Sequence, residues 1–431
     1  MLHRLFPGVY EGWIVVGAAG VVMLVNGTTF FYGLGTIFND LVLEFGWSVA
    51  ATSLAFSLRT EVQGAAAPAI GYAIDRLGAR AVLLAGVSVA AAGLLALSFV
   101  QNIWQFYAVM LLSAAGIGAA GGQVGMTATT TWFRVRRTRA LALMSIGGSL
   151  AGVLVVLIAL LVEALGWRGS LRVLAGAYFA VSAFCASNVR SRPPSHPQPL
   201  DGIARAVGSE AAAADDGGMT ARQALRTRAF WLLAVGQAAS FFSIVSVILL
   251  TIPYLESLGY SKGIASTGLA VYTLSSVIGR VGFGFLADRS DKRRMLAVGT
   301  ALAAFGTMLL AAAGPAGSSL AVAMAGLLIL GPGFGGIIPV RTALMADYYG
   351  VRYFGTINGA AAFVMTAGAV IGPWVVGRTV DATGTYTLGW AIAAAVAWLA
   401  VPILLAARPP GSGPGAPPAT PLRAAPAGRG P

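Results

Sequence analysis

The stretch GYAIDRLGAR, from Gly71 to Arg80, returns 213 residues later as GFLADRSDKR, from Gly284 to Arg293. Each copy directly follows an apolar run, the second and the eighth in the chain. A further pair, GIGAAGG at Gly116 and GPGFGG at Gly331, is separated by 215 residues and lies inside the fourth run of each half. Two pairs at nearly the same spacing predict two parallel structural repeats.

The composition places these repeats in a membrane. Of the 431 residues, 57% are hydrophobic and only 10% are charged, and the mean hydropathy is +0.79; a soluble protein carries about a quarter charged residues. A spanning helix needs about 20 mostly apolar residues. Such runs lie at about 12–36, 48–72, 81–100, 104–131, 140–162, 169–188, 229–252, 264–286, 295–313, 319–345, 355–377 and 387–407. The sequence therefore predicts an all-α membrane protein with twelve transmembrane helices in two parallel six-helix repeats.

Two stretches outside these runs divide the chain. Residues 1–188 form the predicted N-terminal six-helix bundle and 229–407 the C-terminal one. The stretch 189–228, rich in Pro, Ala, Gly, Asp and Arg, is typical of a partly disordered cytoplasmic linker. The tail 408–431 has too few apolar residues to pack, so we expect a disordered cytoplasmic tail.

The basic residues indicate how the chain lies in the bilayer. A net charge of +13 and a pI near 10.4 would suggest nucleic acid as a partner of a soluble protein, but here the charges alternate by loop. Counted over the predicted loops, 21 Lys and Arg fall on one side and four on the other. Positive charge accumulates on cytoplasmic loops. We therefore expect a multi-pass plasma-membrane protein with both termini in the cytoplasm, the lipid bilayer as its partner and no bound nucleic acid.

The sequence lacks the residues that metal binding, dinucleotide binding and ATP hydrolysis require. Cys185 is the single cysteine, and the two histidines, His3 and His196, lie in the N-terminal segment and a loop, so no metal site or cofactor is expected. The glycine runs fit G-x-G-x-x-G, but that fingerprint needs a preceding strand; inside membrane helices such glycines allow close helix packing. No G-x-x-x-x-G-K-[ST] loop is present. The sequence predicts neither an enzyme nor an ATP-driven pump.

The repeated segments resemble the major facilitator superfamily, and the resemblance covers nearly the whole ordered chain. That family carries G-x-x-x-D-R-x-G-x-R after its second helix, where the aspartate acts in a cytoplasmic latch that meets the opposite half. The resemblance implies a twelve-helix transporter. Ordinary positive-inside charges are the alternative, although aspartates contribute little to orientation. The latch residues implied by the two copies are Gly71, Asp75, Arg76 and Arg80, and Gly284, Asp288, Arg289 and Arg293.

A narrower resemblance points to the monocarboxylate transporter and oxalate/formate exchanger group. The segment WFRVRRTRALALMSIGGSLAG, from Trp132 to Gly152, is similar to the start of that family's fifth helix, and YEGW at Tyr10 to the start of its first. Arg280 matches the arginine that binds the substrate carboxylate. There are departures: Ser276 stands where animal members have an aspartate, Tyr32 lies near the place of their helix 1 lysine, and the eleventh helix has no lysine. The resemblance therefore implies carboxylate transport without the animal members' proton-coupling residues.

Four charged residues lie well inside predicted helices, away from their ends: Arg59, Glu61, Arg280 and Arg341. A charge at a helix centre costs about 2.5–3.5 kcal/mol on insertion scales and marks a functional site by default. At about 1.5 Å per residue from the nearest downstream aspartate, Arg341 lies about 9 Å inside, Arg280 about 12 Å and Arg59 about 24 Å. Arg280, close to the midplane, is the best-placed substrate ligand.

Helical periodicity assigns directions to the second helix. The 213-residue repeat aligns Arg280 with Ala67, and positions 59, 63 and 67 share one helix face, so Arg59 and Gln63 are predicted to face the same cavity. Glu61 lies about 200° from Arg59 and is expected to point to a neighbouring helix that supplies a donor. As the one carboxylate deep in a helix, it is the proton-coupling candidate. Gln123 in the fourth helix completes the predicted ligands.

Structural roles remain as alternatives for three of these charges. Arg59 can bond a carbonyl or acid between helices, Arg341 can extend to the cytoplasmic surface, and Glu61 can belong to a buried ion pair. The leading interpretation is a monomeric secondary transporter of small organic anions, chiefly monocarboxylates, driven by a proton gradient or by exchange. Its predicted binding residues are Arg280, Arg59, Gln63, Gln123, Tyr32, Ser276 and Arg341. The alternatives are a drug exporter of the same fold and, in another class, a membrane receptor or sensor.

Overall fold

The computed structural model describes residues 8–47, 49–192, 200–202, 218–314 and 319–410. Within these ranges the regular structure is helical throughout, and twelve long helical segments follow one another. They are α1 (Glu11–Asn26, continued by a π-helical turn Gly27–Tyr32 and a 3-10 turn Gly33–Gly35), α2 (Val49–Leu77), α3 (Ala79–Leu97), α4 (Ile103–Ala119 and Gly122–Trp132), α5 and α6 (the parts of Arg137–Ala186 before and after Gly166), α7 (Arg228–Ser257), α8 (Lys262–Ala287), α9 (Lys292–Ala313), α10 (Leu320–Tyr349), α11 (Phe354–Thr383) and α12 (Thr387–Ala406).

Length and composition fit these segments to a bilayer. In the described ranges, eleven of them are long and apolar enough to cross a membrane. The twelfth, α2, has 29 residues, and Arg59, Glu61 and Gln63 lower its hydropathy. The predicted twelve-helix fold is confirmed.

Glycines bring the helices close together within each half. A Cβ atom added to Gly279 of α8 would lie 2.1 Å from the carbonyl oxygen of Pro332, and one on Gly335 of α10 would lie 1.9 Å from that of Ser276. Lipid tails are as apolar as the helix surfaces, so close backbone packing rather than hydrophobic burial holds such helices together. The glycine-rich segment of α10 therefore packs directly on α8.

One helix departs from the simple prediction, and a glycine separates two others. The fourth run was expected to be unbroken, but α4 is interrupted at Ala120 and Gly121, where the backbone of Gly121 is extended (φ −79°, ψ 175°). Glycine lowers helix propensity, and four glycines between residues 116 and 122 explain the break. The boundary between α5 and α6 lies at Gly166, whose φ of +68° suits glycine.

The ends of α2 and α8 that carry Asp75 and Asp288 lie on one side of the molecule, called here the latch face; the opposite side is the far face. Much of the predicted linker 189–228, and residues 411–431 of the predicted tail, lie outside the described residues. The described linker residue Asp201 is buried and accepts hydrogen bonds from the backbone amides of Val135 (3.0 Å) and Arg136 (2.9 Å). This part of the linker is therefore attached to the start of α5.

Candidate functional site

A cavity of about 310 Å³ lies between the two halves, at the lower end of the roughly 300–1,000 Å³ usual for small-molecule sites. Its walls come from α1, α2, α4 and α5 on one side and from α7, α8 and α10 on the other. As far as the structure describes the chain, the lining contains two arginines and no aspartate or glutamate. The cavity is therefore positively charged and is suited to an anion.

Arg280 reaches this cavity from α8. Its side chain is buried, and its Nη1 donates to the carbonyl oxygen of Ser145 in α5, 3.0 Å away. The guanidinium carbon lies 5.5 Å from the ring centre of Phe334, and Nε has no hydrogen-bond partner among the described residues. The guanidinium is not paired with an acid of its own helix, but it already contacts the opposite half.

Arg59 reaches the cavity from α2 in the other half. Its Nη1 donates to the carbonyl oxygen of Phe30 at 2.9 Å, while Nε has no partner within the described ranges. Phe30 belongs to the π-helical turn that ends α1, and such turns disturb the regular hydrogen bonding of the helix. One of its nitrogens thus makes the bond to a carbonyl of a neighbouring helix that was given as the structural alternative. The residue also lines the cavity.

Three more predicted ligands line the cavity: Gln63, Tyr32 and Ser276. The Ser276 hydroxyl donates to the carbonyl oxygen of Thr273 at 2.6 Å, which leaves its oxygen free only as an acceptor. Tyr272, which was not predicted, also lines the cavity, and its buried hydroxyl lacks a partner in the described part of the chain. Its spacing of eight residues from Arg280 places both on one helix face, so the periodicity of α8 could have identified it.

Two predicted ligands lie outside this cavity. Gln123 is adjacent to it, but its Nε2 donates to the carbonyl oxygen of Ala67 at 3.4 Å and so connects α4 with α2. Arg341 is buried on the latch-face side of the cavity, and its Nη1 lies 3.8 Å from the sulfur of Met345. Neither side chain belongs to the cavity lining, so the structure does not bring them together with Arg280 and Arg59, and their contact with a substrate stays a prediction.

The direction predicted for Glu61 is wrong. Its side chain is exposed, and no hydrogen bond or ion pair joins it to another described residue. The prediction relied on the 200° separation from Arg59, but at that position the side of α2 is exposed. Helix 11 contacts α2 through other positions, such as Gly64 against Thr366. Glu61 is therefore not the buried carboxylate that we expected.

The aspartates of the repeated motif each bind the start of a helix in the opposite half. Asp75 accepts hydrogen bonds from the backbone amides of Gly355 (2.8 Å) and Thr356 (2.7 Å) and from the Thr356 hydroxyl (2.6 Å). Asp288 accepts bonds from the amides of Thr138 (2.9 Å) and Arg139 (3.3 Å). A carboxylate at a helix N-terminus satisfies free N–H groups and meets the positive end of the helix dipole.

Burial raises the pKa of Asp288, and the hydrogen bonds from Thr138 and Arg139 and the charge of Lys292 oppose that rise. The glycines that begin the two motif copies also touch the opposite half: a Cβ on Gly71 would lie 2.0 Å from the carbonyl oxygen of Gly355, and one on Gly284 would lie 2.6 Å from Cβ of Ala142. The motif therefore supplies both an acceptor and a close backbone contact.

The basic residues of the motif lie nearer the surface. Arg76 stacks over the ring of Tyr72, with 4.9 Å between the guanidinium carbon and the ring centre, and Arg293 pairs with Asp291 at 3.5 Å. Arg80 and Arg289 are exposed. These arginines stay within their own half in the contacts that the structure shows.

A third contact between the two halves at the latch face was not predicted. Asp347, near the end of α10, forms ion pairs with Arg137 at the start of α5 and with Lys292 at 2.7 Å. The sequence gives no repeat of Asp347 in the first half, where the equivalent region ends in Trp132. Together with Asp75 and Asp288, it closes the latch face at three places.

Comparison with known proteins identifies the fold and the class. The family model described as Major Facilitator Superfamily matches residues 19–373, with a second match over 246–428. The oxalate:formate antiporter of Oxalobacter formigenes is 25% identical over 66% of both chains. Monocarboxylate transporter 2 of Mesocricetus auratus is 23% identical over 89% of this chain and 81% of its own.

Among solved structures, a proton:xylose symporter superimposes with a TM-score of 0.71 at 14% identity, over 92% of this chain and 95% of the other. At that identity the likeness concerns the fold alone.

Proposed function

This chain belongs to the Major Facilitator Superfamily and is a multi-pass membrane transporter rather than an enzyme, and we propose that it carries small organic anions, chiefly monocarboxylates. One observation carries the proposal: Arg59 and Arg280 line one cavity from opposite halves, and no acid among the described lining residues neutralises them. A carboxylate offers each guanidinium a charge-assisted hydrogen bond. Relatives named for monocarboxylates and for oxalate and formate support the same substrate class.

Binding is proposed to use Arg280 as the principal ligand, with Arg59, Gln63, Tyr32 and Ser276 around it. Each guanidinium gives one nitrogen to a backbone carbonyl and keeps a buried Nε without a partner among the described residues. Because the arginines lie in different halves, a bound anion bridges them. Two cations also suit a dicarboxylate, so oxalate is tested beside lactate and pyruvate.

The transport cycle is proposed to be alternating access driven by exchange or by a proton gradient. Asp75, Asp288 and the Asp347 ion pairs hold the latch face closed, and they must break before the cavity can open to that side. We propose that the latch face is cytoplasmic, because it carries the predicted excess of basic residues. The transporter is proposed to act as a monomer in the plasma membrane.

Uptake into proteoliposomes tests this function. Purified protein is reconstituted and supplied with labelled lactate, pyruvate or oxalate, with and without a pH gradient, and with or without unlabelled anion inside. Uptake that depends on an anion inside indicates exchange, whereas uptake that depends on the gradient indicates proton coupling. Failure of all three anions to enter would remove the proposed substrate class.

Export of hydrophobic compounds is the second candidate, because aromatic side chains form much of the cavity wall, among them Phe30, Phe31 and Phe334. The same protein is therefore tested for binding of neutral and cationic drugs. Competition by lactate but not by drugs supports the anion carrier; the reverse supports export.

A further inference from the structure

Arg341 is a buried cation in α10 that the cavity does not use. Its side chain is 6% exposed, and its hydrogen-bond contact in the described structure is the sulfur of Met345, 3.8 Å from Nη1. A thioether is a weak acceptor. The carboxylate of the same helix, Asp347, is engaged by Arg137 and Lys292. Within the described ranges, therefore, no acid neutralises Arg341.

The position of Arg341 continues the cavity wall toward the latch face. Phe334 and Ile338 line the cavity, and Arg341 follows them by seven and three residues, on the same face of α10. A Cβ on Gly335 would lie 3.0 Å from the backbone nitrogen of Arg280, which places Gly335 level with Arg280. Arg341 is six residues further along, so its backbone lies about 9 Å closer to the latch face.

This part of α10 packs against the opposite half. The hydroxyl of Thr342 lies 3.7 Å from the sulfur of Met126 in α4, and Ala343 belongs to a buried cluster made mostly of residues from the first half, including Val124, Met126 and Met144. These contacts lie between the halves, so they separate when the latch face opens. Opening therefore exposes the surface next to Arg341 to the path between cavity and solvent.

We propose that Arg341 is a second anion subsite, which binds the substrate carboxylate when the latch face is open. This subsite rests on the proposed function, and it specifies where the anion binds after it leaves Arg280. In the closed state the guanidinium contacts a thioether; in the open state a carboxylate gives it a charge-assisted hydrogen bond. The anion then passes between two cations on the same half, and each step keeps it close to a positive charge.

Side-specific transport kinetics test this subsite. Proteoliposomes are sorted by protein orientation, and the half-saturation concentration for the transported anion is measured separately at the latch face and at the far face. Arg341→Met removes the charge but keeps a long apolar side chain. We expect the half-saturation concentration at the latch face to rise roughly ten- to a hundredfold, the loss of one hydrogen bond to a charged group, and that at the far face to change much less.

Two further variants separate binding from stability. Arg341→Lys keeps the positive charge but loses the two-point donor geometry of the guanidinium. We expect it to lose less affinity at the latch face than Arg341→Met. Arg352→Met removes an exposed latch-face arginine that stacks on Tyr353, so it controls for surface charge, and we expect its kinetics to match wild type. Equal changes at both faces in Arg341→Met, or no change at either, would overturn the subsite.

Restoring the charge chemically gives an independent measurement. In a Cys185→Ser background, Arg341→Cys is treated with aminoethyl methanethiosulfonate, which attaches an ammonium group, or with methyl methanethiosulfonate, which does not. Recovery of latch-face affinity only with the ammonium supports the subsite. If wild type transports anions and needs Arg280, but neither reagent changes the Arg341→Cys protein, the subsite fails while the proposed function stands.

Discussion

Arg280 and Arg59 approach one cavity from different halves and are held in a similar way. Each donates one nitrogen to a backbone carbonyl, of Ser145 and Phe30 respectively, and each leaves Nε without a partner in the described chain. The carbonyls fix the guanidinium groups without neutralising their charge. A carboxylate can therefore bind to groups that are already oriented, which limits the entropy lost on binding.

Replacement of Arg280 tests the principal ligand. Losing a hydrogen bond to a charged group costs about 1.5–3 kcal/mol, and lysine cannot reproduce the two-point geometry of a guanidinium. We expect Arg280→Lys to weaken anion binding by roughly ten- to a hundredfold and Arg280→Ala to abolish uptake. Calorimetry or thermal shift with lactate, pyruvate and oxalate measures the binding.

The matched control is Arg378→Ala, which removes an exposed arginine at the far end of α11. Its affinity should equal that of wild type. If Arg280→Ala binds the same anions as tightly as wild type, the anion-carrier proposal loses its principal ligand and drug export becomes the leading candidate.

Glu61 shows how position changes an inference drawn from residue type. A carboxylate in the middle of α2 suggested proton coupling, but the structure places it on the exposed side of the helix, away from the cavity. We therefore expect Glu61→Gln to keep pH-gradient-driven uptake near the wild-type rate. Loss of gradient-driven uptake with retained anion exchange would instead return Glu61 to the coupling mechanism.

At the scale of elements, the latch face uses helix N-termini as its binding partners. Asp75 caps α11 and Asp288 caps α5, so each half supplies the carboxylate for one contact and the helix for the other. This reciprocity follows from the repeat, because equivalent residues of two related halves meet equivalent helices. The Asp347 ion pairs add a contact outside this symmetry.

Removing the charge of one latch aspartate should favour the open latch face. Asparagine has one acceptor oxygen instead of two and carries no charge, so Asp75→Asn loses bonds to Gly355 or Thr356 at a cost of about 1.5–3 kcal/mol. We expect slower transport with anion affinity largely kept. Uptake rates and equilibrium binding, measured side by side, separate the two quantities.

Asp381→Asn serves as the comparison, since Asp381 is an exposed acid at the other end of α11. A normal transport rate in Asp75→Asn would show that Asp288 and Asp347 hold the latch face without it.

The sequence predicted the elements better than the contacts between them. Twelve helices, the two repeats and a shared cavity direction for Arg59, Gln63 and Arg280 follow from hydropathy and periodicity, which are local properties. The break in α4, the Phe30 and Ser145 carbonyls and the direction of Glu61 depend on which helices are neighbours and at what height. Tyr272 lay within reach of the same periodicity, but a tyrosine carries no charge and did not stand out in an apolar helix.

At the scale of the whole molecule, the two halves are joined in the structure at three places on the latch face, with the cavity between that face and the far face. We therefore expect binding and opening to be coupled, because an anion that bridges Arg59 and Arg280 joins the same two halves that the latch contacts hold together. The populations of the conformations closed and open at the latch face then depend on the difference between the free energy of anion binding in each conformation and the free energy of the latch contacts.

The crossing of α2 and α11 at Gly71 and Gly355 has a mechanical consequence. A Cβ on Gly71 would lie 2.0 Å from one backbone oxygen and 2.6 Å from a backbone carbon of the partner helix, and backbone cannot move aside as a side chain can. One added methyl group therefore prevents α2 and α11 from approaching as closely as they do here. We expect Gly71→Ala to hold the molecule open toward the latch face, so that thiol reagents applied there reach the interior. Gly17→Ala, in open space on α1, should leave access as in wild type; equal access in both variants would show that the halves close without this crossing. A single added methyl group would then hold the transporter in the conformation open to the latch face, and that conformation could be studied directly.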